Sequence, residues 1–374
     1  MELFIFNSKI ELQGVIDNFG TLIWTRRFRK SGSFQLNLPA TKENISLMQE
    51  ENLIYRKGYK EAGVISYIHS SLNDKGVRTL EVKGYFTTAY LNRRINWGTI
   101  NFDGTVENFE RKLVNDNCIN PSDSKRKIPN LELGELKNYT EVIKKQDSYG
   151  NVGELCEKAS ETSKLGHRII LDVKNKKLKF EVLKGVDRTV GNGSIAPTIF
   201  STDMENVITE EYTYDTGDYC NVTLIAGAGE GKNRKTTSIG NAEGLNRYEL
   251  YTDARDIQDT KQETVIGDDG NETTKDVKMA WSEYEPLLIQ RGKEKLKECK
   301  KIETFESTIN TNGNNKYREN YDLGDKVTIY SKELGKRIDT DITEIEETYE
   351  KQKVTIKPTF GNNIPTLFEM LRKE

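Results

Sequence analysis

Only two histidines, His69 and His167, occur in 374 residues, so His-based acid–base chemistry has little to draw on. His69 lies near Ser66, Ser70 and Ser71, but no nucleophile-elbow or zincin pattern surrounds it. It is expected near a strand end. His167 follows Gly166 between an expected helix and an expected strand, where it would cap the helix C-terminus. Gly227-Ala228-Gly229-Glu230-Gly231-Lys232 follows an expected strand and has the look of a phosphate loop. The first Gly of that spacing falls on Ala226, and Asn233 stands where Ser or Thr must hold magnesium. The dinucleotide pattern fails too, because Lys232 takes the third Gly position, so the segment reads as a flexible loop. Gly267-Asp268-Asp269-Gly270-Asn271 lacks the ligand spacing and closing Glu of a calcium loop and reads as turn chemistry. Cys118, Cys156, Cys220 and Cys299 are far apart, with no CxxC pair, so reduced, semi-buried thiols are expected rather than zinc or redox sites. No catalytic residue, metal ligand or cofactor is assigned.

Two basic clusters remain, Trp24-Thr25-Arg26-Arg27-Phe28-Arg29-Lys30 and Arg93-Arg94. Interleaved aromatics make nucleic-acid binding conceivable. The clusters are short, however, and 56 Lys plus Arg against 59 Asp plus Glu leave a net charge of -3. Ion pairs between subunits, or a strand edge guarded by charge, fit better. Acidic pairs such as Glu346-Glu347 sit on alternating strands and read as a solvated face.

The elements that must carry these residues are mostly strands. Charged residues make up 31% of the chain and hydrophobic ones 35%, with 17 Tyr and seven Pro, a balance that favours thin β-layers. At about 150 residues per domain the length suits two or three domains. No apolar run approaches the about 18 residues of a membrane helix, and the start lacks a signal peptide's basic region.

Strands are expected at Leu3–Phe6, Gly14–Asp17, Thr21–Trp24, Ser33–Leu38, Asn52–Lys57, Gly63–Ser70 and Val77–Phe86, with a Thr41-capped helix from Lys42 to Glu50. Residues 101–198 mix helices (Phe109–Asn115, Asn151–Lys164) with a hairpin of His167–Val173 and Leu178–Leu183. Strands return at Asn206–Tyr214 and Asn221–Ala226. A polar stretch, 231–280, reads as an extended insertion or long loop, and a helix spans Glu285–Lys300. Strands at Lys326–Tyr330, Asp339–Thr348 and Gln352–Phe360 precede a short amphipathic helix with Leu367, Phe368, Met370 and Leu371.

The β-rich ends echo each other. The run from Ile54-Tyr55-Arg56-Lys57 to Leu80–Phe86 and the run from Ile329-Tyr330-Ser331-Lys332 to Val354–Phe360 are both three-strand meanders, each with a helix expected before it. Either one small β-domain occurs twice, or two meanders merely look alike; both readings stand at this point. The expected fold is α+β, mostly β. Two tube-like β-domains (1–100 and 199–361, the second carrying the insertion) flank an α+β domain (101–198), and a docking helix follows (362–374). A duplicated domain would let a trimer present six similar units in a ring.

Several stretches together resemble the phage tail baseplate-hub proteins: siphophage tail hubs, the N-terminal hub part of tail-associated lysins, and hubs of contractile tails and R-type bacteriocins. They are Gly14–Asp17, Leu22–Phe28, Gly32–Pro39, Leu91–Ile95, Gly185–Thr189, Arg247–Glu249, Gln290–Gly292 and Tyr321–Val327, spread from residue 2 to about 361. The resemblance implies a non-enzymatic trimer whose two tube-like domains per chain form a pseudo-sixfold ring. Such a ring joins the hexameric tail tube to a central spike or fibre. The implied partners are further copies of the chain, the tail tube or distal tail protein, the spike or fibre, and the tape measure protein as a further neighbour. No specific nucleic-acid binding or membrane insertion is implied, and the location is the tail tip of a virion or tail-like particle, assembled in the bacterial cytoplasm. The family supplies no catalytic residues; Gly32 and Gly324 suit turns, and Asp187-Arg188 a local ion pair. Relatives often carry a C-terminal lysin or receptor-binding extension. Here the sequence stops soon after Phe360, so a separate tip protein is expected, docked by Leu367, Phe368 and Leu371. The alternative function is a tail-associated cell-wall-degrading or cell-wall-binding protein.

Overall fold

The computed structural model describes residues 1–266, 272–350 and 353–361. The expected helix with Leu367, Phe368 and Leu371, and the turn Gly267–Asn271, lie outside these residues.

The N-terminal part holds β1 (Leu3–Phe6), β2 (Leu12–Ile16), β3 (Thr21–Arg27), β4 (Ser33–Pro39), α1 (Lys42–Leu47), β5 (Leu53–Arg56), β6 (Ala62–Leu72) and β7 (Arg78–Phe86). Strict alternation builds β4, where Phe34, Leu36 and Leu38 are buried and Ser33, Gln35 and Asn37 face out. Thr41 Oγ1 accepts the Asn44 N–H at 3.1 Å and starts α1. The helix ends at Leu47, short of the expected Glu50, because the Asn52 side chain takes the Leu47 carbonyl and Glu51 turns left-handed (φ 65°).

The middle part comprises β8 (Thr99–Thr105), α2 (Val106–Val114), β9 (Leu131–Leu133), β10 (Val142–Ser148), α3 (Val152–Ser163), β11 (Gly166–Asp172) and β12 (Lys177–Leu183). Its core contains Phe109, Leu113, Leu155, Cys156, Ile169 and Phe180, and is continuous with Phe6, Leu53, Val64 and Leu91 of the first part.

The remainder runs through β13 (Ile199–Phe200), β14 (Val207–Asp215), β15 (Val222–Ala226), β16 (Thr236–Ile239), β17 (Glu249–Asp253), β18 (Thr260–Ile266), β19 (Glu272–Lys278), α4 (Trp281–Glu298), β20 (Ile302–Ile309), β21 (Lys326–Ser331), β22 (Lys336–Glu350) and β23 (Lys353–Gly361). The stretch expected as an extended insertion or long loop is therefore largely folded, with strands β16 to β19. β16 and β17 flank β15, and α4 packs against this sheet through Tyr284, Leu287 and Leu288 onto Ile225, Ala254 and Ile257. Its sparse apolar content suffices because one thin sheet needs a single covered face.

One large sheet joins the two ends of the chain in the order β14-β20-β23-β22-β3-β4-β7-β6-β5-β1-β2. Within it an order recurs. β3-β4-β7-β6-β5-β1 in the first part is matched by β14-β20-β23-β22-β21-β13 in the last. The registers agree as well. Trp24 faces Phe34 and Phe34 faces Gly84; likewise Tyr212 faces Phe305 and Phe305 faces Phe360. Each meander has a bulge at the same place, between Ile65 and Tyr67 opposite Gly84 and Lys83, and between Ile342 and Glu344 opposite Phe360 and Thr359. The recurrence thus covers six strands in one order with coincident bulges. The copies differ at the margins: β1 meets β5 antiparallel, whereas two-residue β13 meets β21 parallel. The helix expected before the second meander is α4, but it does not lead directly into it. α4 precedes β20, and β20 with an irregular segment leads into β21.

Candidate functional site: a buried three-way junction and two open sheet edges

Three of the stretches that carry the family resemblance converge. Phe28, at the end of β3, is buried between Gly166 of β11 and Gly324. A Cβ on Gly324 would stand 2.2 Å from the Phe28 ring, and its φ of 93° suits glycine. Gly185 passes so close that a Cβ would lie 1.7 Å from the Gly324 carbonyl oxygen. The backbone is stitched here: Phe28 N–H donates to Thr343 O (3.1 Å), His167 N–H to Phe28 O (3.2 Å) and Arg188 N–H to Lys326 O (2.7 Å). Arg188 pairs with Asp325 (2.8 Å), while Asp187 accepts from Thr189; the local Asp187–Arg188 pair is thus replaced by a link across the junction, because the two side chains leave the strand on opposite sides.

Charge completes the joint. Arg26, 5% exposed, donates to Glu61 (3.2 Å), Asp322 (2.7 Å) and Tyr317 (2.8 Å). Arg168 of β11 also reaches Glu61 (3.3 Å), and Glu181 (3.0 Å). Burial opposes ionisation of Glu61, but Arg26 and Arg168 outweigh it and hold the carboxyl down at about 2. Arg27–Glu344 (2.5 Å) and Arg29–Asp341 (2.8 Å) cross the same seam. Arg26, Arg27 and Arg29 therefore pair within the chain, where ion pairs between subunits or a charge-guarded strand edge were expected. Glu347 is completely buried, so the expectation of a solvated Glu346-Glu347 pair fails at one member. It accepts from Arg56 (2.9 Å), Tyr317 (3.0 Å), Tyr59 and Tyr349. Its position was readable in the sequence: Ile345, Glu347 and Tyr349 share one face by the two-residue period.

A second buried cluster escaped sequence reasoning. Ser160 Oγ donates to Glu110 Oε1 (2.8 Å) and lies 2.9 Å from His167 Nδ1. The residue types match a hydrolase triad, but all three are buried in the middle core. Burial pushes the His167 pKa down to about 4 and the Glu110 carboxyl well above the usual range. His167 is therefore neutral at pH 7, and the cluster is enclosed in the core, with Glu110 Oε2 left without a hydrogen-bond partner among the described residues. His167 accordingly lies inside β11, not at a helix cap. Cys118 and Cys156 are buried, the Cys118 thiol pushed up to about 12, and act as small apolar residues. Among the described residues no His, Cys, Asp and Glu cluster is arranged to hold a metal, and no helix is long and apolar enough to cross a membrane. The Gly227–Lys232 loop meets a 3₁₀ turn, not a helix N-terminus; Ala228 N–H donates to Tyr284 Oη.

Two sheet edges are open among the described residues. β6 meets β5 only through Ala62–Val64, so the outward edge of Tyr67–Leu72 has no strand beside it, and these residues are exposed. β14 is paired only with β20. His69 lies on this open stretch of β6, its ring stacked near Tyr67.

The fold is shared with solved tail proteins. It is similar to the 43 kDa tail protein of prophage MuSo2 from Shewanella oneidensis (TM-score 0.57, 12% identity, covering 96% of this chain and 98% of that one). It is likewise similar to a tail protein from Neisseria meningitidis MC58 (TM-score 0.57, 12% identity, 96% of each chain). The prophage tail protein gp18 from Listeria monocytogenes EGD-e gives a TM-score of 0.54 at 12% identity, over 100% of this chain and 98% of that one. No curated protein matches the sequence. The model of the Siphovirus ReqiPepy6 Gp37-like proteins matches residues 2–362, and with the fold agreeing along the same span, the chain belongs to that family of phage tail structural proteins.

Proposed function

We propose that this tail protein is a baseplate or tail-tip hub: three copies close into a ring of six similar β-units that joins a sixfold tail tube to a threefold spike or fibre. The observation that carries this is the repeated six-strand order, β3-β4-β7-β6-β5-β1 and β14-β20-β23-β22-β21-β13, joined within one sheet. A chain that carries a unit twice matches six positions with three copies. The buried junction fixes the two units relative to each other, which a ring of defined diameter requires. The division into β-domains at 1–100 and 199–361 around an α+β domain at 101–198 belongs to this proposal, as does a non-enzymatic role. Partners are the tube or distal tail protein on one side and the spike on the other, with assembly in the bacterial cytoplasm.

Native mass spectrometry tests it: three chain masses are expected, and rings in negative stain. A stable monomer that clears or binds cell walls would replace the hub with a tail-associated lysin or wall-binding module. Segment 362–374, with Leu367, Phe368 and Leu371 at helical spacing, is proposed to dock the spike. Deleting residues 365–374 should abolish spike attachment and leave the trimer; retained attachment, scored by co-purification, would refute that role.

A further inference from the structure

The chain contains one seam between its two β-units, and its own geometry specifies a second. In the observed seam, β3 pairs antiparallel with Glu344–Glu350 of β22: Arg27 faces Glu344, Arg26 faces Ile345, Thr25 faces Glu346, Trp24 faces Glu347 and Leu22 faces Tyr349. The register match between units makes β14 the counterpart of β3 and β6 the counterpart of β22. Trp24 corresponds to Tyr212, since each faces the counterpart Phe, Phe34 or Phe305. Tyr67 corresponds to Glu344, since each follows the bulge. The counterpart seam would join β14 to the outer half of β6. Within one chain these strands are at opposite ends of the four-plus-four array β14-β20-β23-β22-β3-β4-β7-β6.

We infer that Tyr67–Leu72 of one copy pairs antiparallel with Glu210–Asp215 of a second copy, with Tyr67 opposite Asp215, Ile68 opposite Tyr214, His69 opposite Thr213, Ser70 opposite Tyr212, Ser71 opposite Glu211 and Leu72 opposite Glu210. The pairing itself needs only the geometry above; that it closes after three copies rests on the hub proposal.

Three observations converge on it. Both edges lack a strand neighbour among the described residues, and a long unpaired edge is a template for another chain. Residues 67–72 are all exposed, whereas in the occupied seam Ile345, Glu347 and Tyr349 are buried. Ile68 (43%), Leu72 (57%) and Tyr214 (52%) are exposed on the side that matches Ile345, Tyr349 and Arg26, with the amphipathic Tyr67 (46%) on the other. On the other side Asp215 is assigned opposite Tyr67, where the observed seam has the ion pair Arg27–Glu344. The occupant is thus a second copy, because the strand that fits each edge is the one this chain supplies at its far end.

Paired cysteines test the register. In a Cys220→Ser, Cys299→Ser background, His69→Cys with Thr213→Cys sets two thiols directly opposite across the seam, within disulfide reach. Mild oxidation should give covalent species up to three chains on a denaturing gel. His69→Cys or Thr213→Cys alone should give none, and neither should Ser70→Cys with Thr213→Cys, whose side chains leave on opposite faces. A trimer by mass that never cross-links through the matched pair would overturn the pairing and leave the hub proposal standing. Cross-linked dimers or open-ended chains would uphold the pairing and overturn the three-copy ring. A protein that stays monomeric and uncross-linked at every concentration would overturn both.

Discussion

Glu61 is a buried carboxylate held between Arg26 and Arg168, and its pH behaviour follows from that. Its pKa falls from 4.5 to about 2 on folding. The native state therefore binds fewer protons, and the stabilisation is complete above about pH 4.5 and lost as the pH drops through about 2. A shift of this size is on the order of 3 kcal/mol. Glu61→Gln should melt lower than the parent at pH 7, and the gap should narrow steeply between pH 4.5 and 2; a constant gap in thermal melts would refute the assignment. Glu110 has the opposite sign. Burial raises its pKa, so its contribution is complete below 4.5 and is lost as the pH rises. Its Oε2 has no hydrogen-bond partner among the described residues. Glu110→Gln should therefore gain stability relative to the parent as the pH is raised from 4 to 8. A difference between variant and parent that does not grow with pH would contradict that sign. At this scale the sequence was partly legible. Glu347 was expected to be solvated although alternation with Ile345 and Tyr349 puts it on the buried face, and Ser160, His167 and Glu110 are separated in sequence and brought together only by packing of α2, α3 and β11.

Elements with strict alternation, such as β4 and β7, were legible because burial on one face forces the period. β10 was not: Val142–Ser148 is polar, and its strand character comes from pairing with β8. β20, Ile302–Ile309, has buried Phe305 and Ile309 around exposed Glu306, yet it merges into a polar context that hid it. The insertion shows the same limit, since its core of Ile225, Ala254, Ile257, Tyr284, Leu287 and Leu288 is small and separate from the others. That separateness is testable. Leu288→Ala should cost about 2–5 kcal/mol locally. Hydrogen exchange should accelerate in β15, β16, β17 and α4 while β3, β4 and β7 remain protected. Equal acceleration throughout would show that the insertion is not an independent packing unit.

At the scale of the whole molecule, one strand order occurs twice, joined at a charged junction, and ends on two sheet edges that are open among the described residues. The echo between residues 54–86 and 329–360 was visible in the sequence. The equivalence of the outer strands was not, because the insertion with α4 separates β14 from β20, whereas β3 and β4 are adjacent hairpin partners. The most direct measurement is a cryo-electron microscopy reconstruction of the assembled particle without imposed symmetry. It should show three chains, six similar β-units around one channel, and sheet continuity from each chain to the next. Six chains, two chains, or a ring whose two kinds of unit do not superpose would contradict the account.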